Sequence, residues 1–319
     1  MMRLGLLLLV ALLANVGAHA QPVWPQRTVR MVVPFAPGGA TDIITRLLAE
    51  EMTRNIGQSV VVENRGGASG TIAGTYVARA PADGYTLFMG TTGTNILAPI
   101  FIRNVPYETQ RDFRGVAMVA GIANLLAVTS ALPVATVQEL VTYARANPGV
   151  LNYAATGSGS RMAMELFLQG TGIDIVMVPF SGGGLALQAM LQNQVHVSLD
   201  LLPSLMTAVQ DGQLRALAVS TLGRSARAPA VPTLAESGLA NYEFISWQGI
   251  FAPRATPDAV VEAANRAVLA ALAAPETRRR ISELGADVMG GTAAEMDAYI
   301  AAEIRKLTAV ATAAKIEPQ

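Results

Sequence analysis

Four short segments rich in Gly, Ser and Thr contain the residues that could do chemistry in this chain. They read FAPGGATD (35–42), GTTGTN (90–95), ATGSGS (155–160) and FSGGG (180–184), and each lies between an apolar strand-like run and a run with helical spacing. The first N–H groups of a helix lack intrahelical partners and the helix dipole adds positive charge, so such loops can bind a small anion. A single loop of this kind can be explained as an ordinary turn and does not by itself indicate a binding site. In open α/β sheets, however, ligands bind at loops like these, beyond the carboxyl ends of the strands.

The residues that enzymes most often use in catalysis are scarce. The chain has no Cys and two His, His19 and His196. Thiolate catalysis and His/Cys metal sites are therefore excluded, and a Ser-His-Asp arrangement would have to use His196. No nucleotide-binding GxGxxG or P-loop pattern occurs, and residues 157–161 read GSGSR, which does not match GxSxG. We expect no cofactor and no metal, and an enzyme would be a secreted hydrolase or isomerase with His196 or Asp200 as its base.

Five other residues near these loops have two interpretations each. Asp42 most simply lies in the first turn of a helix, where a carboxylate suits the dipole, but it could pair with a ligand ammonium group. Asp200 ends an apolar strand and either fixes a neighbouring loop or faces a cleft. Arg161 could add charge to an anion site or lie in solvent, and Trp247 could line a cleft or the core. His196 lies in a strand pattern that favours a structural role.

The first 20 residues have the pattern of a secretory signal peptide. Arg3 is followed by an apolar run over residues 4–14 and by Ala18-His19-Ala20, so we expect cleavage after Ala20. This apolar run is shorter than the roughly 20 residues that span a bilayer. Cleavage would remove Arg3 as the one charged residue and leave 22 basic and 23 acidic side chains, a net charge of −1. We therefore expect a soluble, exported protein with no electrostatic footprint for nucleic acid.

Strand and helix patterns alternate in a way that indicates an α/β protein with two lobes. The strand patterns fall at residues 29–35, 59–64, 85–89, 115–127, 151–155, 174–180, 195–201, 214–220 and 243–253. The strand-helix-strand-helix-strand order at the start predicts a parallel sheet with right-handed crossovers. The same unit recurs from residue 151, which predicts a second lobe.

The C-terminal part has only helical patterns, at residues 260–272, 276–284 and 294–307. With no further strand expected there, these helices should cover an existing sheet, and we expect them to return to the first lobe. The predicted organisation is lobe 1 at 27–122 plus 251–319 and lobe 2 at 123–250.

The loops in this order resemble those of Bug-type periplasmic solute-binding receptors of the tripartite tricarboxylate transporter class. The resemblance runs from Val29 to the last helix and rests on VPFAPGGATD, VVVENRGGASG, DGYTLFMG, LNYAATGSGS, VPFSGGGLAL, VSLDLLPS, LRALAVS, VPTLAESG and SWQGIFAP. It implies a type II, Venus-flytrap fold whose lobes are mainly parallel sheets flanked by helices. It also implies a small carboxylate solute bound largely by main-chain groups and ordered water in loops 35–41 and 156–160.

The chain departs from the family pattern at three positions. Arg161 stands where His is common, Ser181 where Lys is common, and His196 where Asp is common. These changes leave the backbone loops intact but affect the expected identity of the solute.

The resemblance and the loops together imply a periplasmic receptor that is a monomer. We expect it to bind a di- or tricarboxylate, acidic amino acid or aromatic acid and to deliver it to membrane subunits of a tripartite transporter. A sensor that signals to a membrane partner is an alternative. The candidate ligand-binding residues are Phe35, Ala36, Pro37, Gly38, Gly39, Ala40, Thr41, Thr91, Thr92, Asn95, Thr156, Gly157, Ser158, Gly159, Ser160, Ser181, Gly182 and Asp200.

Overall fold

The protein is described by a computed structural model over residues 24–318, so the predicted signal peptide lies outside the described residues. Within this range ten strands form one continuous mixed sheet, in which β2-β1-β3-β9-β4-β7-β5-β6 are successive neighbours and β8 and β10 also pair with β4. The strands are β1 Val29–Val33, β2 Val60–Asn64, β3 Thr86–Thr91, β4 Phe113–Thr129, β5 Asn152–Ala155, β6 Val176–Pro179, β7 Val197–Leu201, β8 Leu214–Val219, β9 Ile245–Pro253 and β10 Asp287–Gly290.

Helices lie between most of these strands, as the sequence pattern predicts. They are α1 Ala40–Ile56, α2 Thr71–Ala78, α3 Ala98–Phe101, α4 Thr109–Asp112, α5 Val137–Ala146, α6 Ser158–Thr171, α7 Gly183–Leu191, α8 Leu202–Gln210, α9 Asp258–Ala273, α10 Pro275–Glu283 and α11 Ala293–Ala313. A 3₁₀ turn at Ala68–Gly70 and a π-helical turn at Gly93–Leu97 follow β2 and β3. Across residues 24–318, no helix is both long and apolar enough to cross a membrane.

Helix α1 shows how the local sequence sets an element of the first lobe. Ile44, Leu48 and Met52 recur every four residues and are fully buried, as expected for one apolar helix face. The helix ends at Gly57, whose φ of 68° is a left-handed conformation that glycine adopts at little cost. Strands β1, β2 and β3 around it pair in parallel, which confirms the predicted parallel unit.

Two long strands connect the lobes. Strand β4 pairs with β9 from Phe113 to Ala123 and then with β7 and β8 from Asn124 onward. The chain returns through Phe244, whose N–H donates to Ser220 O in the second lobe at 2.9 Å, and it then enters β9. The predicted lobe limits at 122/123 and 250/251 thus fall inside β4 and inside β9.

The prediction that the C-terminal part contains no further strand is wrong. Strand β10 pairs antiparallel with β4, with Val288 opposite Ala120 and Gly290 opposite Met118. It is only four residues long and only partly buried, so it lacks the long apolar run by which a buried strand is recognised in sequence.

Helix α11 contacts both lobes. Met296 and Ile300, near its start, and Val310, near its end, belong to one buried apolar cluster that also contains Phe167 of α6. Gln169 of α6 donates from Nε2 to the carbonyl oxygen of Val310 at 2.7 Å. The C-terminal helix therefore packs along the junction between the lobes.

Candidate functional site

A cavity of about 330 Å³ lies between the two lobes, at the low end of the size range of ligand pockets. Both lobes and both connecting strands contribute to its wall. The residues that line it are Phe35, Ala40, Thr41, Thr91, Thr92, Gly93, Leu97, Ile122, Asn124, Thr156, Gly157, Ser158, Gly159, Ser160, Asp200, Leu201, Phe244, Ser246, Trp247 and Gln248.

On the first lobe, Asp42 fixes the loop that leads into α1. Its Oδ2 accepts hydrogen bonds from Gly38 N–H at 2.9 Å and from Arg46 Nε at 3.0 Å. Its Oδ1 accepts from Asn64 Nδ2 at 2.8 Å, and Asn64 also donates to Phe35 O at 3.1 Å. Burial alone would raise the pKa of Asp42, but the hydrogen bonds from Arg46, Gly38 and Asn64 outweigh it and lower the pKa below its ordinary value.

Asp42 lies in the first turn of α1, which confirms that part of the sequence prediction. It is buried and does not line the cavity. Its role is therefore to position Phe35, Ala40 and Thr41, which do line it.

On the second lobe, the loop before α6 is organised by three polar side chains. Ser160 Oγ accepts from Thr156 N–H at 2.8 Å and donates to Gly157 O at 3.1 Å. Thr156 Oγ1 donates to Asp200 Oδ2 at 2.6 Å. The first backbone bond of α6 is Arg161 N–H to Gly157 O, so the N–H groups of 157–160 precede the helical ladder.

Two of the helices that begin at the cavity share an N-cap of the same type. The N-cap is Gly39 in α1 and Gly157 in α6. Glycine has no side chain with which to accept from the first turn, so the leading N–H groups of both helices remain available to a ligand. Two positive helix ends, one from each lobe, therefore face the same cavity.

The floor of the cavity comes from β3 and β9. Thr92 Oγ1 accepts from Trp247 N–H at 2.9 Å and donates to Ile245 O at 3.2 Å. Thr91 and Thr94 exchange bonds, from Thr91 N–H to Thr94 Oγ1 at 2.9 Å and from Thr94 N–H to Thr91 Oγ1 at 3.1 Å. Thr92 therefore fixes the loop after β3 against β9, and the bonds between Thr91 and Thr94 hold the loop itself.

Several of the candidate residues do not line the cavity. They are Ala36, Pro37, Gly38, Gly39, Asn95, Ser181 and Gly182. Asn95 is buried beneath Thr94, whose hydroxyl donates to its Oδ1 at 2.8 Å. Ser181 and Gly182 follow β6, which is three strands away from β4 in the sheet, so their loop lies too far from the junction.

Three residues with open interpretations are also placed by the structure. Arg161 reaches the first lobe, with its guanidinium carbon 5.3 Å from the ring centre of Phe101, and does not line the cavity. Trp247 is both a core residue and part of the cavity wall. His196 precedes β7, whereas Asp200 lies near the end of that strand, so His196 is at the opposite end from the cavity; its Nδ1 accepts from Asn152 N–H at 3.3 Å.

Apart from Trp247, sequence reasoning missed the cavity residues on the connecting strands. Asn124 is buried in β4, where its N–H donates to Ser220 Oγ at 2.8 Å. Ser246 Oγ lies 3.4 Å from Asn124 Oδ1. A lone Asn inside the apolar run of β4 was the available signal, because a buried amide needs polar partners.

The charge of the wall is unusual for an anion site. Among the lining residues, all of which belong to the described chain, Asp200 is the one ionisable side chain, and none is Lys, Arg or His. No group of three or more His, Cys, Asp or Glu within residues 24–318 could bind a metal ion. Donors in this cavity are therefore N–H and hydroxyl groups.

Comparison with known proteins shows the family to which this two-lobed chain belongs. A family model described as tripartite tricarboxylate transporter family receptor matches residues 44–316. The chain belongs to this family. Protein BugT of Bordetella pertussis is similar to this receptor, with 32% identity over 321 residues that cover 98% of each chain.

Solved structures agree with this assignment. An R. palustris protein solved with adipate is 39% identical and has a TM-score of 0.75, with 93% of this chain and 100% of that chain covered. MatC from Rhodopseudomonas palustris, solved with bound malate, is 35% identical with a TM-score of 0.71, and the match covers 90% of this receptor and 100% of MatC. The predicted family and the two-lobed periplasmic-binding-protein fold are confirmed. The family is one of solute-binding receptors, not of enzymes.

Proposed function

We propose that this receptor binds a small carboxylate-bearing solute between its lobes and delivers it to the membrane subunits of a tripartite tricarboxylate-type transporter. The observation that carries the proposal is the pair of glycine-capped helix starts, α1 and α6, at one cavity. Two similar proteins solved with adipate and with malate support the same solute class.

The physical basis is the strength of hydrogen bonds to a charged acceptor. Each is worth about 1.5–3 kcal/mol, compared with about 1 kcal/mol for a neutral pair. The helix dipole adds about 0.3–1 kcal/mol at each N-terminus. Hydroxyls of Thr41 and Ser158 at the cavity supply further donors without a cationic side chain.

Binding at this site should close the lobes. A solute that bonds to Ala40 and Thr41 on one side and to residues 157–160 on the other makes both sets of contacts only when the lobes are together. Rotation would occur where the chain passes between lobes, near Asn124 and Phe244.

The geometry gives no support to a hydrolase or isomerase. His196 lies at the far end of β7 from the cavity, and Asp200 is the one ionisable side chain among the lining residues of the described chain, so no second acid or base is placed beside it there. A general base must lie within hydrogen-bond reach of the proton that it takes. Binding without turnover is therefore the proposed activity.

Calorimetry against matched acids and amides tests this proposal. The panel contains dicarboxylates, acidic amino acids, aromatic acids and nicotinate, each beside its amide, which has nearly the same shape without the charge. At least one acid should bind about tenfold or more tightly than its amide, since about 1.4 kcal/mol corresponds to a factor of ten. If no acid binds, or if amides bind as well as acids, the proposal is wrong.

A variant pair links the binding to the loop before α6. Ser160→Ala removes the acceptor of Thr156 N–H, so the affinity for the acid should fall several-fold. Ser130→Ala, at an exposed position just after β4 and outside the cavity wall, is the matched control and should bind as the wild type does.

Export is tested separately. The intact mass of the protein recovered from the periplasm should correspond to a chain that begins at Gln21. A cytoplasmic, full-length chain would contradict the periplasmic assignment.

A further inference from the structure

The single ionisable group in the wall of the cavity, within residues 24–318, is a carboxylate that is only partly satisfied by the protein. Asp200 Oδ2 accepts from Thr156 Oγ1 at 2.6 Å, and Oδ1 accepts from Leu201 N–H at 2.7 Å. The residue is 8% exposed and lines the cavity. An ionised carboxylate offers about four acceptor positions, so about two remain for a group inside the cavity.

The position of Asp200 next to the anion-binding loop limits the solute further. Thr156 bonds both to Asp200 and, through Oγ1 and N–H, to Ser160 Oγ at the start of α6. A solute carboxylate on the N–H groups of 157–160 therefore lies beside Asp200. The atom next to that carboxylate is the part of the solute that Asp200 can reach.

The negative charge of Asp200 limits which group the solute can have next to its carboxylate. A second carboxylate there would face Asp200 with no Lys, Arg or His in the cavity wall, as far as residues 24–318 extend. Burying two carboxylates side by side without a cation costs free energy, because both lose their hydration and repel each other. An ammonium or hydroxyl group would instead donate to the free acceptor positions of Asp200. The site therefore favours a donor next to the carboxylate.

The remainder of the wall is largely apolar. Phe35, Leu97, Ile122, Phe244 and Trp247 are its large apolar side chains. Two buried polar atoms also belong to lining residues and have no partner within the described chain, Trp247 Nε1 and Gln248 Oε1. An apolar or aromatic solute body fits the apolar part of this surface, and a neutral polar atom on that body would pair with Trp247 Nε1 or Gln248 Oε1.

We propose that the solute is a monocarboxylate with an ammonium or hydroxyl group on the carbon next to the carboxylate and an apolar remainder, and that Asp200 binds this donor. The inference rests on the proposed carboxylate receptor function. It makes this receptor a binder of apolar α-amino acids or α-hydroxy acids with one carboxylate, whereas the adipate and malate of the two solved neighbours are dicarboxylates.

The test compares three acids on each of two carbon skeletons. Phenylalanine, phenyllactate and phenylpropionate form one set; leucine, leucate and isocaproate form the other, and succinate is added as a dicarboxylate. Calorimetry on the wild type should show that an amino or hydroxy acid binds about tenfold or more tightly than its unsubstituted partner, as expected for a hydrogen bond to a charged group. The amino and hydroxy members identify which donor is used.

The variant Asp200→Asn assigns the effect to this carboxylate. It should reduce the ratio of the amino acid affinity to the unsubstituted acid affinity about tenfold, and a hydroxy acid ratio by less, because an amide oxygen still accepts from a hydroxyl group. Asp211→Asn removes the same charge at an exposed position outside the cavity wall and should keep the wild-type ratio. The wild-type comparison decides the matter even if Asp200→Asn does not fold.

Each contrary result has a separate meaning. If succinate or the unsubstituted acids bind most tightly, the donor inference is wrong and the carboxylate receptor stands. If the ratio is unchanged in Asp200→Asn, Asp200 is not the group that binds the donor. If none of these acids binds and no acid in the wider panel does, the proposed function itself is wrong.

Discussion

Replacing Asp42 with asparagine should destabilise the first lobe by an amount that the structure allows us to work out. The carboxylate receives hydrogen bonds from Gly38 N–H, Arg46 Nε and Asn64 Nδ2. The Arg46 side chain is 51% exposed, so its ion pair contributes little. Asparagine keeps one acceptor oxygen and replaces the other with a donor group, so one of the two remaining bonds is lost. We expect the free energy of unfolding to fall by about 1.5–3 kcal/mol at neutral pH, the value of a hydrogen bond to a charged group.

The same variant should show a defined pH dependence. Asp42 has a pKa lowered from 3.8 in the folded protein. Its stabilisation is therefore fully present above the unfolded pKa and is lost as the pH falls through the folded pKa. The stability difference between the wild type and Asp42→Asn should be constant near neutral pH and should shrink as the pH falls below about 4.

Urea unfolding at a series of pH values measures both effects. Asp211→Asn, at an exposed position, is the control and should unfold as the wild type does. Equal midpoints for Asp42→Asn and Asp211→Asn at neutral pH would refute the assigned role of Asp42. A difference that persists unchanged in acid would show that the lost stability does not come from the ionised carboxylate.

Three further substitutions test other parts of the structure. Thr92→Val removes the hydroxyl that accepts from Trp247 N–H, and urea unfolding should show a loss of about 1–2 kcal/mol. Gly285→Ala places a methyl group 2.2 Å from Cγ of Pro203 in the other lobe, at a φ of 80°; thermal unfolding should show a lower midpoint and calorimetry a weaker affinity for the bound acid. Tyr299→Phe removes a buried hydroxyl that has no partner within residues 24–318, so its stability should match or exceed that of the wild type.

The elements of the fold that could be predicted are those set by residues close to them in the sequence. The parallel β1-β2-β3 unit follows from apolar runs and from glycines such as Gly57, which act within a few residues of their own position. Strand β10 was missed because its four residues are held in a strand by pairing with β4, which is far away in the sequence. Short edge strands have little signal of their own.

The candidate site divides in the same way. Residues 156–160 and Ser181-Gly182 look alike in sequence, yet strand order brings only the first group to the cavity. Asn124 and Ser246 line the cavity because of where β4 and β9 cross between lobes, which depends on long-range pairing. Local patterns identify loops that can bind an anion, whereas the sheet order decides which of them do so together.

The position of α11 has a consequence for how the receptor unfolds. Its buried residues, with Phe113 of the first lobe and Phe167 of the second, form one apolar cluster. Neither lobe can lose its structure without exposing part of the core of the other, so the chain should melt in a single calorimetric transition rather than two. A second lobe expressed alone would expose the face of α6 that contains Phe167, and it should aggregate.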